Sequence, residues 1–157
     1  MISVRDSKTP LTEEVLRATE ERLGIVLPEE YRSFLLIHNG GHPTPDVFKF
    51  GTHSGRYSDS CVAWFLAIYD GEYSNFETYF MRYKLHQQRL PSELVAIARD
   101  PGGNLVCIAV DGAQKGAIFF WDHEQECGDG DRPTFSNVYL IADSFSAFLS
   151  SLHTVEY

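Results

Sequence analysis

The sequence predicts an α+β fold in a single domain, an antiparallel-rich central sheet flanked by an N-terminal helix pair and a C-terminal helix. Three observations predict it. Residues 23–41 compress a helix stop, a helix start, a buried stripe and a second stop into one short segment. Residues 94–122 hold three short apolar runs parted by turn residues, the pattern of an antiparallel meander. A capped apolar stripe, Phe145, Phe148, Leu149 and Leu152, closes the pattern as a helix. At 157 residues, 43% apolar and 22% charged, the chain is long enough for one core burying about two-thirds of its unfolded surface. We take 1–157 as one domain with its core at 11–153.

Residues 1–10 are polar and read as loosely ordered, with Ile2 and Val4 able to add a short strand. Thr12 is the expected N-cap of the first helix, with Leu11 and Leu16 as a hydrophobic staple. Val15, Ala18, Thr19 and Leu23 form its expected inner face, and Gly24 can take the left-handed conformation that stops it. Pro28 suits a first helical position, and Glu29 and Glu30 suit the positive end of the helix dipole. Tyr31, Phe34, Leu35 and His38 recur at helical spacing, and Asn39-Gly40-Gly41 ends the second helix. His42-Pro43-Thr44-Pro45 reads as a rigid, exposed loop, open equally to recognition or to plain connection.

Val47–Phe50 reads as a strand. Cys61–Leu66 is a continuous apolar run whose β-branched and aromatic content favours a buried strand over a helix start. Ser74 or Asn75 should cap a third helix carrying Phe76, Tyr79, Phe80 and Tyr83, closed by Leu90-Pro91. Strands follow at 94–98, 104–110 and 117–122, the middle one apolar on both faces and therefore central. Asp100-Pro101-Gly102-Gly103 is a turn. A polar loop spans 123–133, a further strand 137–142, and Asp143 or Ser144 caps the last helix.

The formal net charge is −9 and the pI about 5.0. Such a chain repels phosphate backbones and anionic membranes, which argues against direct nucleic-acid or membrane binding and for attraction to a basic partner. Cys61, Cys107 and Cys127 form no CxxC pair, and an odd count argues for a reducing compartment. With no apolar signal core and no membrane-length run, the expected location is the cytoplasm.

Asp122-His123-Glu124 offers an acid–base pair or two ligands for a small metal-dependent hydrolase. Adjacent residues at a strand end point in different directions, and no second histidine falls in ligand spacing, so a turn-stabilising role outweighs it. In that role Asp122 bonds loop N–H groups and His123 a backbone carbonyl. Gly102-Gly103-Asn104 lacks the Lys-Ser/Thr and the spacing of a phosphate loop and reads as a tight turn. Cys107 and Cys61 read as buried and inert, Cys127 as exposed. No catalytic residue, metal or cofactor is expected.

The blocks Leu23-Gly24, Leu27-Pro28, Glu30-Tyr31, Phe34-Leu35 and Asn39-Gly40-Gly41 resemble, in order and spacing, the signature of the SUKH superfamily. Leu90-Pro91, Ile97-Ala98-Arg99-Asp100, Gly102-Gly103-Asn104, the run Gly116 to Trp121-Asp122-His123-Glu124, Ile141 to Phe145 and Phe148-Leu149 extend the resemblance nearly end to end. Only the N-terminal ten residues and 41–90 match poorly. The resemblance implies an α+β fold and a non-catalytic binding function. The eukaryotic members are fungal regulators of cell-wall synthesis, the bacterial ones mostly immunity proteins that bind and neutralise a toxin. It therefore implies a cognate protein toxin as partner, expected to be basic and plausibly a nuclease. A scaffold or regulatory binding domain is the alternative. We expect a monomer.

Two acidic segments offer a surface for such a partner. Asp59 to Glu77 interleaves carboxylates with aromatics, and Tyr57, Asp59, Tyr69, Asp70, Glu72 and Tyr73 are its candidate contacts. Asp122 to Asp131 carries Glu124, Glu126, Asp129 and Asp131 with no Lys or Arg. Against this, Trp64 and Phe76 also fit a core with solvated acids around it.

Overall fold

Residues 2–126 and 132–155 are described by a computed structural model of the chain. The first helix, α1 (Glu13–Leu23), begins where the Thr12 side chain accepts the Val15 N–H at 3.2 Å. It ends at Gly24, which takes φ 71°. Its inner face is rotated from the expected one. Leu16, Thr19 and Glu20 are buried, whereas Val15 is 47% exposed, Ala18 is exposed and Leu23 only half-buried. The reason is electrostatic. The Glu20 carboxylate accepts the Leu27 N–H at 2.7 Å and pairs with Arg32 at 2.7 Å, so an acid holds the interhelical connection. Apolar periodicity cannot reveal a buried charge that brings its own partners.

Pro28 stands just before α2 (Glu29–Ile37) rather than inside it, and its carbonyl accepts the Arg32 N–H at 3.0 Å. Tyr31, Phe34 and Leu35 are buried as the stripe predicts, and His38 caps the end half-buried against Phe34.

Near the N-terminus the expected looseness gives way to β1 (Ser3–Arg5), antiparallel to β2 (His42–Thr44). The expected exposed loop at 42–45 is thus partly a strand, with Pro43 buried opposite Val4. A hairpin of β3 (Val47–Gly51) and β4 (Tyr57–Cys61) follows. The sequence does not announce β4, since Tyr-Ser-Asp-Ser-Cys has no apolar alternation. Pairing to β3 alone makes the strand, and its first three residues are exposed.

The Cys61–Leu66 run is not one strand. It crosses between sheets, with Val62 N–H bonded to the Asp46 carbonyl and Ala63 N–H to that of Arg99, so that only Trp64–Phe65 is β5. The crossing leaves Cys61 half-buried rather than in the core.

The central sheet is antiparallel in the order β5-β6-β7-β8-β9, with β6 (Leu94–Arg99), β7 (Leu105–Ala109), β8 (Ile118–Trp121) and β9 (Val138–Ala142). Every residue of β7 is buried, as its apolar run predicts for the middle strand.

Asn75 caps α3 (Phe76–Tyr79), which continues as a π-helical segment, Phe80–His86, and stops before Leu90-Pro91. Ser144 caps α4 (Phe145–Ser151), and the Glu30 carboxylate accepts the Ser146 N–H at 2.9 Å. Helices and sheet meet in an aromatic core where Phe34 lies 4.9 Å from Phe65 and 5.0 Å from Phe145, and Phe48 lies 5.8 Å from Phe148.

Candidate functional site

Between β5 and α3 the chain leaves the core and returns to it within a few residues. Two bonds close the neck of this loop, Ala67 N–H to the Ser74 carbonyl and Phe76 N–H to the Ala67 carbonyl, both 2.8 Å. Inside it, Asn75 Nδ2 donates to the carbonyls of Tyr69 (2.9 Å) and Gly71 (2.7 Å), while its Oδ1 accepts the Thr78 N–H that starts α3. The Tyr69 hydroxyl donates to the Tyr73 carbonyl.

From beneath, the buried Asn39 side chain donates to the carbonyls of Ile68 (2.7 Å) and Thr9 (2.9 Å) and accepts the Ile68 N–H (2.8 Å). Gly40 permits this approach. It takes φ 72°, and a Cβ there would meet the Ala67 Cβ at 2.6 Å. The Asn-Gly-Gly block is therefore more than a helix stop, because it supports the loop.

This scaffold turns side chains outward. Asp70, Glu72 and Tyr73 are exposed, Tyr73 by 85%, and Tyr69 is half-buried with Lys8 Nζ 4.5 Å above its ring. Among the cavities that border the loop, two share its outer residues Tyr73 and Ser74. One, about 380 Å³, has Lys8, Trp64, Tyr69, Tyr73 and Arg99 in its wall. The other, about 430 Å³, has Glu72, Tyr73, Tyr79, Arg82, Tyr83 and Arg99.

The remaining candidate contacts sit elsewhere. Tyr57 and Asp59 are exposed on β4, in the two-stranded sheet, and among the described residues no hydrogen bond or ion pair joins them to the 68–75 loop. Glu124 is exposed on a short 3₁₀ turn after β8. Glu126 is engaged internally. It pairs with Arg89, whose guanidinium lies 5.0 Å from the Trp121 ring and 4.9 Å from that of Tyr83. Cys127, Asp129 and Asp131 fall outside the described residues.

Trp64 is half-buried at the wall of a cavity, and Phe76 is in the core. Sequence reasoning missed Arg99, Lys8, Arg82 and the supporting role of Asn39. The one available signal was a charged residue, Arg99, closing the apolar run 94–98.

The two glycine- and histidine-bearing blocks form a single turn cluster. The Asp100 carboxylate accepts the N–H groups of Gly102 (2.9 Å) and Asn104 (2.8 Å), the Asn104 side chain (2.9 Å) and the Ser60 hydroxyl (2.9 Å). Asn104 Oδ1 accepts the His123 N–H at 3.0 Å, and His123 Nε2 donates to the Gly102 carbonyl at 2.8 Å. Asp122 accepts the Glu124 N–H. Both bonds expected of Asp122 and His123 as turn residues are present.

Among the described residues no group of three or more His, Cys, Asp and Glu side chains is arranged to hold a metal ion. Burial pushes the Cys107 thiol far above its usual range, which keeps it protonated and unreactive. The Cys61 thiol is also raised, first by burial and then by Asp46 and Asp100. Among the described residues no helix is long and apolar enough to cross a membrane.

This arrangement agrees with two comparisons. Over 154 residues the chain is 28% identical to the SPbeta prophage-derived uncharacterized protein YokK of Bacillus subtilis (strain 168), covering 90% of this chain and 74% of that protein. The pattern of the SMI1 / KNR4 family (SUKH-1) matches residues 10–151, from the loop before α1 to the end of α4. With the helix pair, the turn cluster and the five-stranded sheet all inside that match, the chain belongs to the SMI1 / KNR4 family (SUKH-1).

Proposed function

We propose that the protein is a cytoplasmic, monomeric immunity protein that binds a cognate toxin and neutralises it without catalysis. One observation carries this reading: the 68–75 loop is rigidly braced from inside, yet holds Asp70, Glu72 and Tyr73 out to solvent. A preorganised loop with an aromatic anchor and a charged rim suits recognition, because little ordering entropy is lost on binding. The chain's −9 charge favours a basic partner and speeds encounter with it. A nuclease with a basic substrate cleft is the partner class that such a surface blocks best. Tyr57, Asp59 and Glu124 extend the contact if the interface is large.

The test is co-expression with candidate toxic domains drawn from the reading frames that neighbour the gene. The wild-type protein should restore growth and form a stable complex. Asp70→Lys combined with Glu72→Lys should lower the association rate about tenfold or more and weaken protection, with folding unchanged. Full protection and unaltered affinity in that double variant overturn the loop as the partner-facing surface.

A further inference from the structure

Arg99 closes β6 opposite Trp64, its cross-strand partner, and is half-buried. Its Nε donates to the Ser74 hydroxyl at 3.1 Å, which ties it to the neck of the loop. Its terminal nitrogens have no hydrogen-bond partner among the described residues, and no carboxylate there lies within ion-pair distance of it. The neighbouring Asp100 carboxylate is already occupied by Ser60, Gly102 and Asn104.

The cavities of about 380 and 430 Å³ share Tyr73, Ser74 and Arg99, so this guanidinium sits where they meet. Aromatic walls stand on either side of it. Of the nearby carboxylates, Asp6 lines the first cavity and Glu72 the second, neither within ion-pair distance of Arg99, and Asp70 is exposed on the same loop.

A uniformly basic surface pressed onto that rim satisfies Asp70 and Glu72. It also strips water from Arg99 and leaves a cation unpaired, which is costly. A partner that fits both layers carries basic groups around one protruding carboxylate. Carboxylate oxygens match the fork of a guanidinium and can accept two bonds from it. We infer that Arg99 is the recognition residue for an Asp or Glu side chain that a basic protein partner inserts into the trough beside Trp64 and Tyr73. This deepens the proposed function and rests on its reading of the 68–75 loop as the partner-facing surface. The reversed charge order, acid above and cation below, is a device for specificity, since it rejects plain polycations that a −9 surface otherwise attracts.

The experiment selects a display library of random peptides on the full-length protein. Enriched peptides should carry one Asp or Glu among Lys and Arg residues. A synthetic version should lose about tenfold or more in affinity when that acid becomes its amide, and by a similar factor against Arg99→Met, the two changes together costing little more than either alone. Arg99→Lys keeps the charge without the fork and should lose about threefold, which preserves the test if the Met variant folds poorly. Ser74→Ala removes the internal bond but leaves the guanidinium, and binding should stay within about twofold.

Peptides that bind wild type and Arg99→Met alike, peptides with no dependence on their acid, or enrichment of none that needs Arg99 each overturn the inference. Displacement by millimolar inorganic phosphate overturns it in favour of a free-anion site. The toxin plays no part in this assay. Failure here with protection intact removes only the role of Arg99, and the converse removes only the immunity reading.

Discussion

The β6–β8 meander and the stretch from Tyr57 to Asn75 use the same kinds of residue to opposite ends. Both carry large aromatics and both place polar groups at turns. In the meander Phe119, Phe120 and Trp121 are buried, and Asp100 and Asn104 close the turn on itself. In the other stretch Tyr57 is 80% exposed and Tyr73 85%, while Asn39 from the end of α2 and Asn75 from within the loop hold its carbonyls. Composition therefore does not separate core from recognition surface here. What separates them is what lies beneath the backbone. The 100–104 turn joins strands whose side chains pack inward, whereas the 68–75 loop has its inner side filled by the Asn39 and Asn75 side chains, so its remaining side chains face solvent.

Breaking the core side of that comparison should have the largest effect. Phe148 is fully buried and packs on Phe48, Phe65 and Phe145. Phe148→Ala should cost about 3–5 kcal/mol in denaturant unfolding. The next effect lies at the support of the loop. Asn39→Ala leaves two carbonyls and one N–H without their partners and should cost about 2–3 kcal/mol. Its signature is local: amide exchange should accelerate at 68–75 well before β7 loses protection. Uniform loss of protection across both regions would show that loop and sheet open as one unit, and the comparison would fail.

How much was legible follows the same division. The meander, the caps at Thr12 and Asn75, and the central place of β7 were readable because apolar burial and local side-chain bonds leave marks a few residues apart. The Asp122-His123-Glu124 turn was readable for that reason too, although its partner Asn104 is distant in sequence. The strand β4, the break at Val62–Ala63 and the inner face of α1 were not. Each depends on a partner from another element, Val47–Gly51 for β4, Asp46 and Arg99 for the break, and Arg32 for Glu20. The surface positions Tyr69, Asp70, Glu72 and Tyr73 were named from aromatic and acidic spacing. Arg99 below them was not, because a lone cation ending an apolar strand looks like an ordinary solvated end.

A smaller, pH-dependent effect tests the helical frame. The Arg32 guanidinium beside Glu13 holds that carboxyl below its ordinary 4.5, and the Ser146 hydroxyl and N–H do the same for Glu30. A carboxyl depressed on folding binds fewer protons in the native state than in the unfolded chain at acidic pH. Its contribution is complete above 4.5 and fades as pH falls through the lower native value. Thermal stability should therefore decline below pH 4.5, and Glu13→Gln should flatten that decline while lowering the plateau at neutral pH.

The smallest stability effect belongs to Tyr73, and it sharpens the comparison most. The backbone carbonyl of Tyr73, not its ring, accepts the Tyr69 hydroxyl, and the ring is 85% exposed. Tyr73→Ala should change unfolding free energy by no more than about 0.5 kcal/mol, the range of surface substitutions. An aromatic anchor at the centre of an interface contributes about 2 kcal/mol or more, so the same change should weaken partner binding about thirtyfold. Calorimetry on one preparation of the variant reads both quantities. A stability loss above about 1 kcal/mol would mean the ring supports the loop rather than facing a partner. Unchanged binding at unchanged stability would mean that the loop is braced for some purpose other than recognition.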